Sequence, residues 1–360
     1  MTRVVSAVTT LPPHRYPQAE ITAAVAKRLS LSGHKRATLE RFHAACGVRT
    51  RHLVLPLKHY DGITGFREAN DAFLVSALDL GEQAIKEALA QVGLMPTDVD
   101  VLMTVSVTGI GAPSVDARLV PRLGLRDDIR RIPVFGLGCV AGAAGVARLH
   151  DLLLGEPDGV AVLLAAEACS LTIQSDDDST ANMVASALFG DGVAAVVLVG
   201  SARASRLGLP GPDVIATRSR LYPDTERVMG WDIGGSGFRI VLAASVADVV
   251  EAHLGADIRG FLAPHGLDVR DVRRWIAHPG GPKVLEATAR ALDLRDGELG
   301  LTWESLADLG NLSSASVLNV LSRTLDGPPP DPGSAGVMFA MGPGFCSELV
   351  LLSWPTEVTA

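Results

Sequence analysis

Apolar residues recur along the first half of the chain in two alternating patterns. Short continuous runs of aliphatic residues predict buried strands, and longer segments with helical spacing lie between them. The predicted strands are residues 101–107, 132–135, 160–166 and 193–199. The predicted helices are residues 74–92, 114–123, 140–154 and 183–189. Strands that alternate with helices in this way predict an α/β layered architecture.

The second half of the chain repeats the alternation more loosely. Helical spacing occupies residues 246–262 and 282–292, and short apolar runs at 275–277, 336–341 and 349–352 predict strands. A Pro/Gly-rich stretch at residues 207–213 marks the boundary between the two halves. We therefore predict two α/β units, residues 1–206 and 207–360, that meet at a crevice suited to a ligand.

Composition and charge narrow the class of protein. The 360 residues carry a formal net charge of −8, which argues against nucleic acid as the main partner. The longest apolar runs are too short to cross a bilayer, so we expect no membrane span. The four cysteines lack the spacing of a zinc site, and no signal segment precedes the first strand. We expect reduced thiols, no bound metal and a cytoplasmic location.

One of these cysteines lies in a setting that suits nucleophilic chemistry. Cys139 follows a predicted strand and a turn that contains Gly136 and Gly138, and it precedes a helix rich in Ala and Gly. The partial positive charge at a helix N-terminus favours thiolate over thiol, and the thiolate is the nucleophile. On this residue alone, a buried structural cysteine is an equally good interpretation.

Two further polar residues are candidates for the same site. His278 ends a short apolar strand before a Pro-Gly-Gly-Pro turn, and Asn311 follows a glycine and precedes a helical run. Taken singly, His278 suits an ordinary loop histidine, and Asn311 suits an ordinary helix cap. Taken with Cys139, the histidine can draw the proton from sulfur to give a thiolate–imidazolium pair, and the amide can stabilise an oxyanion. Papain-like peptidases use the same three residue types, so the reaction stays open at this point.

Five segments, in the same order along the chain, resemble those of type III polyketide synthases. This family is the chalcone-synthase-like branch of the thiolase-fold condensing enzymes, and the resemblance extends over residues 11–352. The matching segments are Gly-Cys-Val-Ala-Gly at Cys139, Ala-Leu-Phe-Gly-Asp-Gly at Phe189, Ile-Ala-His-Pro-Gly-Gly at His278, Gly-Asn-Leu-Ser-Ser at Asn311 and Met-Gly-Pro-Gly at residues 341–344. The resemblance implies a duplicated, thiolase-like αβαβα layered fold, a homodimer, and no metal or redox cofactor.

The same resemblance implies a role for each matching residue. Cys139 would carry an acyl chain, taken from an acyl-CoA, as a thioester. His278 and Asn311 would stabilise the enolate formed when malonyl-CoA loses CO₂, and this carbanion would attack the thioester. Phe189 and Phe238 correspond to the aromatic gatekeepers, which shield the enolate from water. The expected oxyanion loop is Gly342, Pro343 and Gly344, and the expected contacts to the CoA phosphates are Arg41, Arg49, Arg51 and Lys283.

Small residues at the expected pocket wall indicate a long starter. Ala112 stands where plant members of the family carry methionine, Cys169 and Thr172 lie in a segment of mostly small residues, and Ile173 replaces a phenylalanine. Aromatic residues make up only 4% of the chain, which leaves little to stack on an aromatic starter. The chain resembles the actinobacterial alkylpyrone-forming branch. We therefore predict a medium- or long-chain fatty acyl-CoA starter, malonyl-CoA or methylmalonyl-CoA as extender, and an alkyl-α-pyrone product.

Three other kinds of protein are alternatives to this function. A ketoacyl-synthase-III-like enzyme would condense once and depend on an acyl-carrier protein. A non-catalytic acyl-binding protein on the same fold would need none of the three polar residues. A cysteine peptidase is the least favoured, because nothing around Cys139 resembles a peptidase segment. A structure without an apolar tunnel beyond Cys139 would argue against the long starter.

Overall fold

The computed structural model describes residues 1–355. The strands are β1 (Thr2–Thr10), β2 (His14–Pro17), β3 (Thr50–Leu53), β4 (Val101–Ser106), β5 (Arg130–Phe135), β6 (Val160–Ala168), β7 (Asp191–Gly200), β8 (Asp213–Leu221), β9 (Met229–Gly234), β10 (Gly237–Leu242), β11 (Val272–Ala277), β12 (Ala335–Gly342) and β13 (Cys346–Ser353). The α-helices are α1 (Gln18–Arg28), α2 (Gly33–Ala45), α3 (Phe66–Ala90), α4 (Val115–Leu123), α5 (Ala141–Leu153), α6 (Thr180–Leu188), α7 (Ser201–Arg206), α8 (Val246–Leu262), α9 (Pro282–Leu292), α10 (Gly300–Leu309) and α11 (Ser314–Asp326).

Nine strands form one mixed sheet that runs through both halves of the chain. Its order is β11-β12-β13-β8-β1-β7-β6-β4-β5, and β5 is an edge strand. The pairs β4–β5, β4–β6 and β11–β12 are parallel, and the other pairs are antiparallel. The halves join where β1 pairs with β8, with Thr2 opposite Val214. This mixed sheet with helices on its faces confirms the predicted α/β class.

Alternating residues of the central strands pack against different helices. On β6, Ala161, Leu163 and Ala165 share a buried cluster with α5 and α11. Val162 and Leu164, on the opposite face, share a second cluster with α3. All nine residues of β6 are buried, as expected for a strand covered on both faces. Helices α5 and α11 therefore lie on one face of the sheet, and α3 lies on the other.

The predicted elements match the structure closely, but several observed elements, among them α1, α2 and α10, were not predicted. Helices α8 and α9 have the predicted bounds, and each predicted strand lies within an observed one or overlaps it. Pattern alone missed strand β8 and the hairpin β9–β10, whose residues are mostly half-buried or exposed. Such strands lack the continuous apolar run by which a buried strand is recognised.

The contact between α5 and α11 depends on a residue without a side chain. A Cβ added at Gly142 would lie 2.3 Å from the backbone oxygen of Ser314 and 2.7 Å from Val317 Cγ1. We expect Gly142→Ala to separate the two helices and lower the free energy of unfolding by about 1–3 kcal/mol. Chemical denaturation measures this change.

The matched control for this prediction is Gly300→Ala. Gly300 also lies at the start of a helix, but no atom lies within 4 Å of the position a Cβ would take. We expect its free energy of unfolding to stay constant or to rise slightly, because alanine is the better helix former. Equal stability of the two variants would show that the interface tolerates a methyl group.

Candidate active site

Cys139 lies in a tight turn between β5 and α5. Gly138, with φ +59°, begins a 3₁₀ turn (Gly138–Val140) that leads directly into α5. A Cβ at Gly138 would also lie 2.6 Å from Pro343 Cδ, so glycine is required by both backbone conformation and space. The sulfur is buried, with 6% of the residue exposed, and the predicted place at the start of a helix is confirmed.

His278 and Asn311 reach the same cavity from two other elements. His278 follows β11, and its backbone N–H donates to the oxygen of Phe339 at 3.0 Å. Asn311 pairs with Phe189, since its N–H donates to Leu188 O at 2.8 Å and its carbonyl accepts from Gly190 N at 3.0 Å. A cavity of about 40 Å³ is lined by Cys139, Phe189, His278 and Asn311 together.

The Asn311 side chain is oriented by its own backbone. Its Oδ1 accepts from Ser313 N at 2.8 Å and from Ser316 Oγ at 3.3 Å. With the oxygen engaged in this way, the amide Nδ2 is the group left to donate toward the cavity. Asn311 is 2% exposed, so a hydrogen bond from Nδ2 to a developing oxyanion would form in a water-poor setting.

Burial determines the resting charge of the site. It raises the pKa of the Cys139 thiol to about 12, and the bond to Ser313 Oγ at 3.7 Å only partly offsets this effect. Burial also lowers the pKa of His278 to about 3. Both shifts favour a thiol and a neutral imidazole at neutral pH, because desolvation outweighs the helix terminus. The thiolate–imidazolium pair stays a prediction.

This charge state gives a pH prediction for the reactivity of Cys139. Only the thiolate is alkylated, so the rate of modification by iodoacetamide should rise roughly tenfold per pH unit between about pH 6 and pH 9, without a plateau. Peptide mass spectrometry of Cys139 gives the rate at each pH. A rate that levels off above about pH 6 would show an ion pair with His278 and contradict the neutral resting state.

A second cavity, of about 30 Å³ and called the inner cavity below, shares Cys139, Phe189 and Met229 with the first. It is lined by Cys139, Cys169 and Pro343 among the predicted residues. Met229, Trp231, Ile240 and Ser313 also line it and were not singled out from the sequence. The first three belong to the missed hairpin β9–β10. The signal available for Ser313 is its closeness to Asn311, and its φ of +51° is known only from the structure.

The remaining predicted pocket residues lie outside both cavities. Phe238 is 3% exposed and packs against Phe66, with ring centroids 5.2 Å apart. Thr172 donates to the carbonyl of Cys169 at 2.8 Å and stabilises a local turn. Ala112 is exposed in the loop after β4. Gly342 and Gly344 flank Pro343 beside the nucleophile, since a Cβ at Gly342 would lie 2.8 Å from Val140 N.

The four basic residues predicted for CoA binding divide into three at the surface and one in the interior. Arg41 bonds to Thr38, Arg49 pairs with Asp308 at 2.7 Å, and Lys283 is exposed in the first turn of α9. Arg51 is different, because it is only 1% exposed. A CoA phosphate cannot reach this guanidinium, so the prediction for Arg51 is wrong.

Arg51 instead binds the backbone that carries Phe189. Its Nη1 donates to the carbonyls of Ser186 and Phe189, each at 2.7 Å, and its Nε donates to Gln18 at 3.1 Å. Its aliphatic part packs against two glycines, since a Cβ at Gly310 would lie 3.2 Å from Arg51 Cδ. Arg51 therefore helps to hold the segment in which Phe189 pairs with Asn311.

Glu167, which the sequence did not single out, forms a buried polar cluster near Cys139. Its carboxylate accepts from Thr108 Oγ1 at 2.7 Å and Val107 N at 3.2 Å, and it also bonds to the Ser314 hydroxyl. Burial raises the pKa of this carboxyl, and its negative charge contributes to the raised pKa of Cys139. The cluster ties β6 to the start of α11.

Two kinds of feature, a metal-binding cluster and a membrane-spanning helix, are absent from the part of the chain that the structure describes. Within residues 1–355, no group of three or more His, Cys, Asp or Glu side chains is arranged to hold a metal ion. In the same part of the chain, each helix is too short or too polar to span a bilayer.

Comparison with known proteins identifies the family. The N-terminal domain model of chalcone and stilbene synthases matches residues 2–203, and the C-terminal domain model matches residues 213–355. The chain belongs to this family. It is a type III polyketide synthase of the bacterial branch, an acyl-transferring condensing enzyme, and the predicted family is confirmed.

Relatives cover nearly the whole chain. It is 56% identical to 1,3,6,8-tetrahydroxynaphthalene synthase of Streptomyces peucetius subsp. caesius over 353 residues, which are 98% of this chain and 93% of that protein. The crystal structure of 1,3,6,8-tetrahydroxynaphthalene synthase from Streptomyces coelicolor A3(2) superposes with a TM-score of 0.91 at 30% identity, covering 99% of this chain and 100% of that one. PKS-I from the brown alga Ectocarpus siliculosus gives a TM-score of 0.91 at 26% identity and covers 98% of each chain. These neighbours confirm the thiolase-like fold.

Proposed function

We propose that this type III polyketide synthase uses malonyl-CoA as both starter and extender and forms 1,3,6,8-tetrahydroxynaphthalene or a closely related polyphenol. The observation that carries the proposal is the 56% identity to a tetrahydroxynaphthalene synthase over 98% of the chain. Two further relatives of that name, from Streptomyces coelicolor and Streptomyces griseus, are 33% and 30% identical.

The carbon skeleton of that product supports malonyl-CoA as the starter. Tetrahydroxynaphthalene carries oxygen on alternate carbons and no alkyl substituent, as expected when every unit added contributes two carbons. A fatty acyl starter would leave its chain attached to the ring. The same condensation can therefore build the whole molecule from one substrate.

The size of the cavities beside Cys139 also supports a short starter. The two cavities measure about 40 and 30 Å³, enough for a few water molecules each. Cys139, Phe189 and Met229 line both cavities. Trp231 and Ile240 line the smaller one, where their side chains occupy space that a long aliphatic chain would need.

The proposed reaction assigns one step to each residue of the site. The Cys139 sulfur attacks the acyl-CoA carbonyl, and its proton passes through His278 to the departing CoA sulfur. Malonyl-CoA then loses CO₂, and the electron pair of the broken bond moves into an enolate that accepts hydrogen bonds from His278 and from Asn311 Nδ2. The enolate carbon attacks the Cys139 thioester and breaks its C–S bond, and the released thiolate takes a proton that comes from solvent through His278. The neutral imidazole is the form suited to this exchange.

A fatty acyl-CoA starter with an alkyl-α-pyrone product stays a second prediction. Its support is the small side chain of Cys169 on the wall of the inner cavity. The small volumes of the two cavities that Cys139 lines, and the position of Ala112 outside both, weigh against it.

A homodimer is part of the proposal. Strand β5 is an edge of the nine-stranded sheet, and its last residue, Phe135, is 45% exposed. Leu137 and Ile110 are 37% and 44% exposed. An edge strand beside exposed apolar side chains is suited to pairing with a second copy.

Product analysis tests the proposed function. Purified protein is supplied with malonyl-CoA alone, and then with malonyl-CoA plus a series of acyl-CoA starters of increasing length. We expect tetrahydroxynaphthalene, or the quinone formed from it in air, from malonyl-CoA alone, detected by liquid chromatography and mass spectrometry. Alkylpyrones from long starters, with no product from malonyl-CoA alone, would favour the second prediction. Dependence on acyl-carrier protein would favour a ketoacyl-synthase-like reaction.

A further inference from the structure

The turn at residues 343–345, between β12 and β13, forms part of the wall around Cys139. Pro343 lines the inner cavity, and Phe345 lines the first cavity. The turn packs closely against the segment that carries the nucleophile, since a Cβ at Gly138 would lie 2.6 Å from Pro343 Cδ. A displacement of this turn therefore changes the space around the Cys139 sulfur.

The side chain of Thr225 binds the backbone of this turn. The Phe345 N–H donates to Thr225 Oγ1 at 2.8 Å. The single hydroxyl proton lies within reach of two carbonyl oxygens, that of Tyr222 at 2.7 Å and that of Gly344 at 3.1 Å. The Tyr222 N–H also donates to the carbonyl of Phe345 at 3.0 Å. The hydroxyl therefore ties the turn to the segment that follows β8.

The backbone of Thr225 begins the connection to the hairpin β9–β10. Its carbonyl accepts from Val228 N at 3.0 Å, and the carbonyl of Val228 accepts from Ala243 N at 2.9 Å, which closes the open end of the hairpin. The hairpin supplies three side chains to the inner cavity, those of Met229, Trp231 and Ile240. Thr225 thus joins two walls of this cavity, the turn at 343–345 through its side chain and the hairpin through its backbone.

We propose that Thr225 is a positioning residue for the condensation step. It lines neither cavity beside Cys139 and acts through the turn that contains Pro343. By fixing this turn relative to the hairpin, the hydroxyl sets the space in which the acyl chain on Cys139 meets the enolate. Its removal leaves the Phe345 N–H without this acceptor and loosens the turn. Carbon–carbon bond formation is sensitive to such a change, because the reacting atoms must be held in near-attack geometry.

Decarboxylation does not depend on this hydroxyl. The His278 N–H donates to the carbonyl of Phe339, and Asn311 Oδ1 accepts from Ser313 N, so neither bond involves the turn. The inference rests on the proposed function, in which His278 and Asn311 stabilise the enolate. Removal of the hydroxyl should therefore lower condensation and leave decarboxylation at saturating malonyl-CoA nearly unchanged. A purely structural role would lower both activities together, in proportion to the folded fraction.

The test measures both activities in the same samples. Malonyl-CoA labelled with ¹³C in its free carboxylate reports decarboxylation as released CO₂, and liquid chromatography with mass spectrometry quantifies the polyketide formed from the starter that the native enzyme accepts. For Thr225→Val, we expect product formation to fall about tenfold or more, and CO₂ release to stay within about twofold of the native rate. The uncoupled enolate takes a proton from solvent, so acetyl-CoA should accumulate in place of product.

Two further variants at the same position isolate the effect of the hydroxyl. Thr225→Ser keeps the hydroxyl and should recover product formation to within about threefold of the native rate. Thr225→Ala removes the hydroxyl with a smaller side chain and should show the same separation of the two activities as Thr225→Val. Circular dichroism verifies that each variant is folded.

Thr324→Val is the matched control. Thr324 is also buried, but its hydroxyl donates to the carbonyl of Val320 at 2.7 Å within α11, and it lines neither cavity. We expect both of its activities to stay native. Equal losses of CO₂ release and product in Thr225→Val, unchanged product formation, no recovery in Thr225→Ser, or unfolding of both hydroxyl-free variants would overturn the proposal for Thr225. A native enzyme that neither decarboxylates nor condenses malonyl-CoA would instead overturn the proposed function.

Discussion

Cys139→Ala is expected to reduce product formation from malonyl-CoA by at least about a thousandfold, because the acyl chain then has no sulfur to carry it. The same variant should lose the acyl adduct that intact-protein mass spectrometry detects on the native enzyme. The methyl group of alanine fills part of the space of the buried thiol, so the fold should persist. Product chromatography and adduct mass together measure the loss.

Cys46→Ala is the matched control for this variant. Cys46 is also buried, but it bonds to Gln18 and the carbonyl of His43 and lines neither cavity beside Cys139. It should retain both adduct and product. An acyl adduct found on Cys169, which lies in the inner cavity, or product formed by Cys139→Ala would remove Cys139 from its assigned role.

Asn311→Asp is expected to lower malonyl-CoA decarboxylation by about a hundredfold to a thousandfold. The carboxylate keeps the oxygen that accepts from Ser313 N, so the local turn is preserved. It replaces the Nδ2 donor with a negatively charged oxygen beside the developing enolate. Acetyl-CoA formed from malonyl-CoA, quantified by mass spectrometry, measures the rate.

The same substitution at Asn319 controls for the introduction of a buried carboxylate. Asn319 lies on α11, accepts from Ser305 Oγ at 2.9 Å and is 6% exposed, but it does not line the catalytic cavity. At a temperature where circular dichroism shows both variants folded, we expect Asn319→Asp to decarboxylate malonyl-CoA at nearly the native rate. Equal losses in both variants would indicate a general effect of buried charge.

The cavities show which of the small residues noted in the sequence border the space beside Cys139. Ala112 and Thr172 are small, but neither lines the space beside Cys139. Trp231 does line it, although aromatic residues make up only 4% of the chain. The volume of a cavity depends on which side chains face it, and the hairpin β9–β10 supplies side chains that the sequence pattern did not place.

Arg51 shows that two arginines close together in the sequence can differ completely in exposure. From its neighbours in the sequence, it belongs with Arg41 and Arg49 as a candidate for phosphate binding. In the structure, Arg49 lies just before β3, pairs with Asp308 and is exposed, whereas Arg51, within β3, is buried. Residues two apart on a strand share a face, so strand alternation does not separate these two arginines. The difference comes from segments distant in the sequence, which supply Gln18 and the carbonyls of Ser186 and Phe189 around Arg51.

The sequence by itself predicted most of the elements of the central sheet, the family and three polar residues that the structure brings to one cavity. Helical spacing and apolar runs depend on local periodicity, and the five matching segments depend on order, so both can be recognised along the chain. Only the tertiary structure decided the burial of Cys139, His278 and Arg51 and the shape of the cavities. These properties depend on which segments, distant in the sequence, exclude water from a group. Desolvation acts through space, so the residues next to that group in the sequence carry no pattern that reveals it.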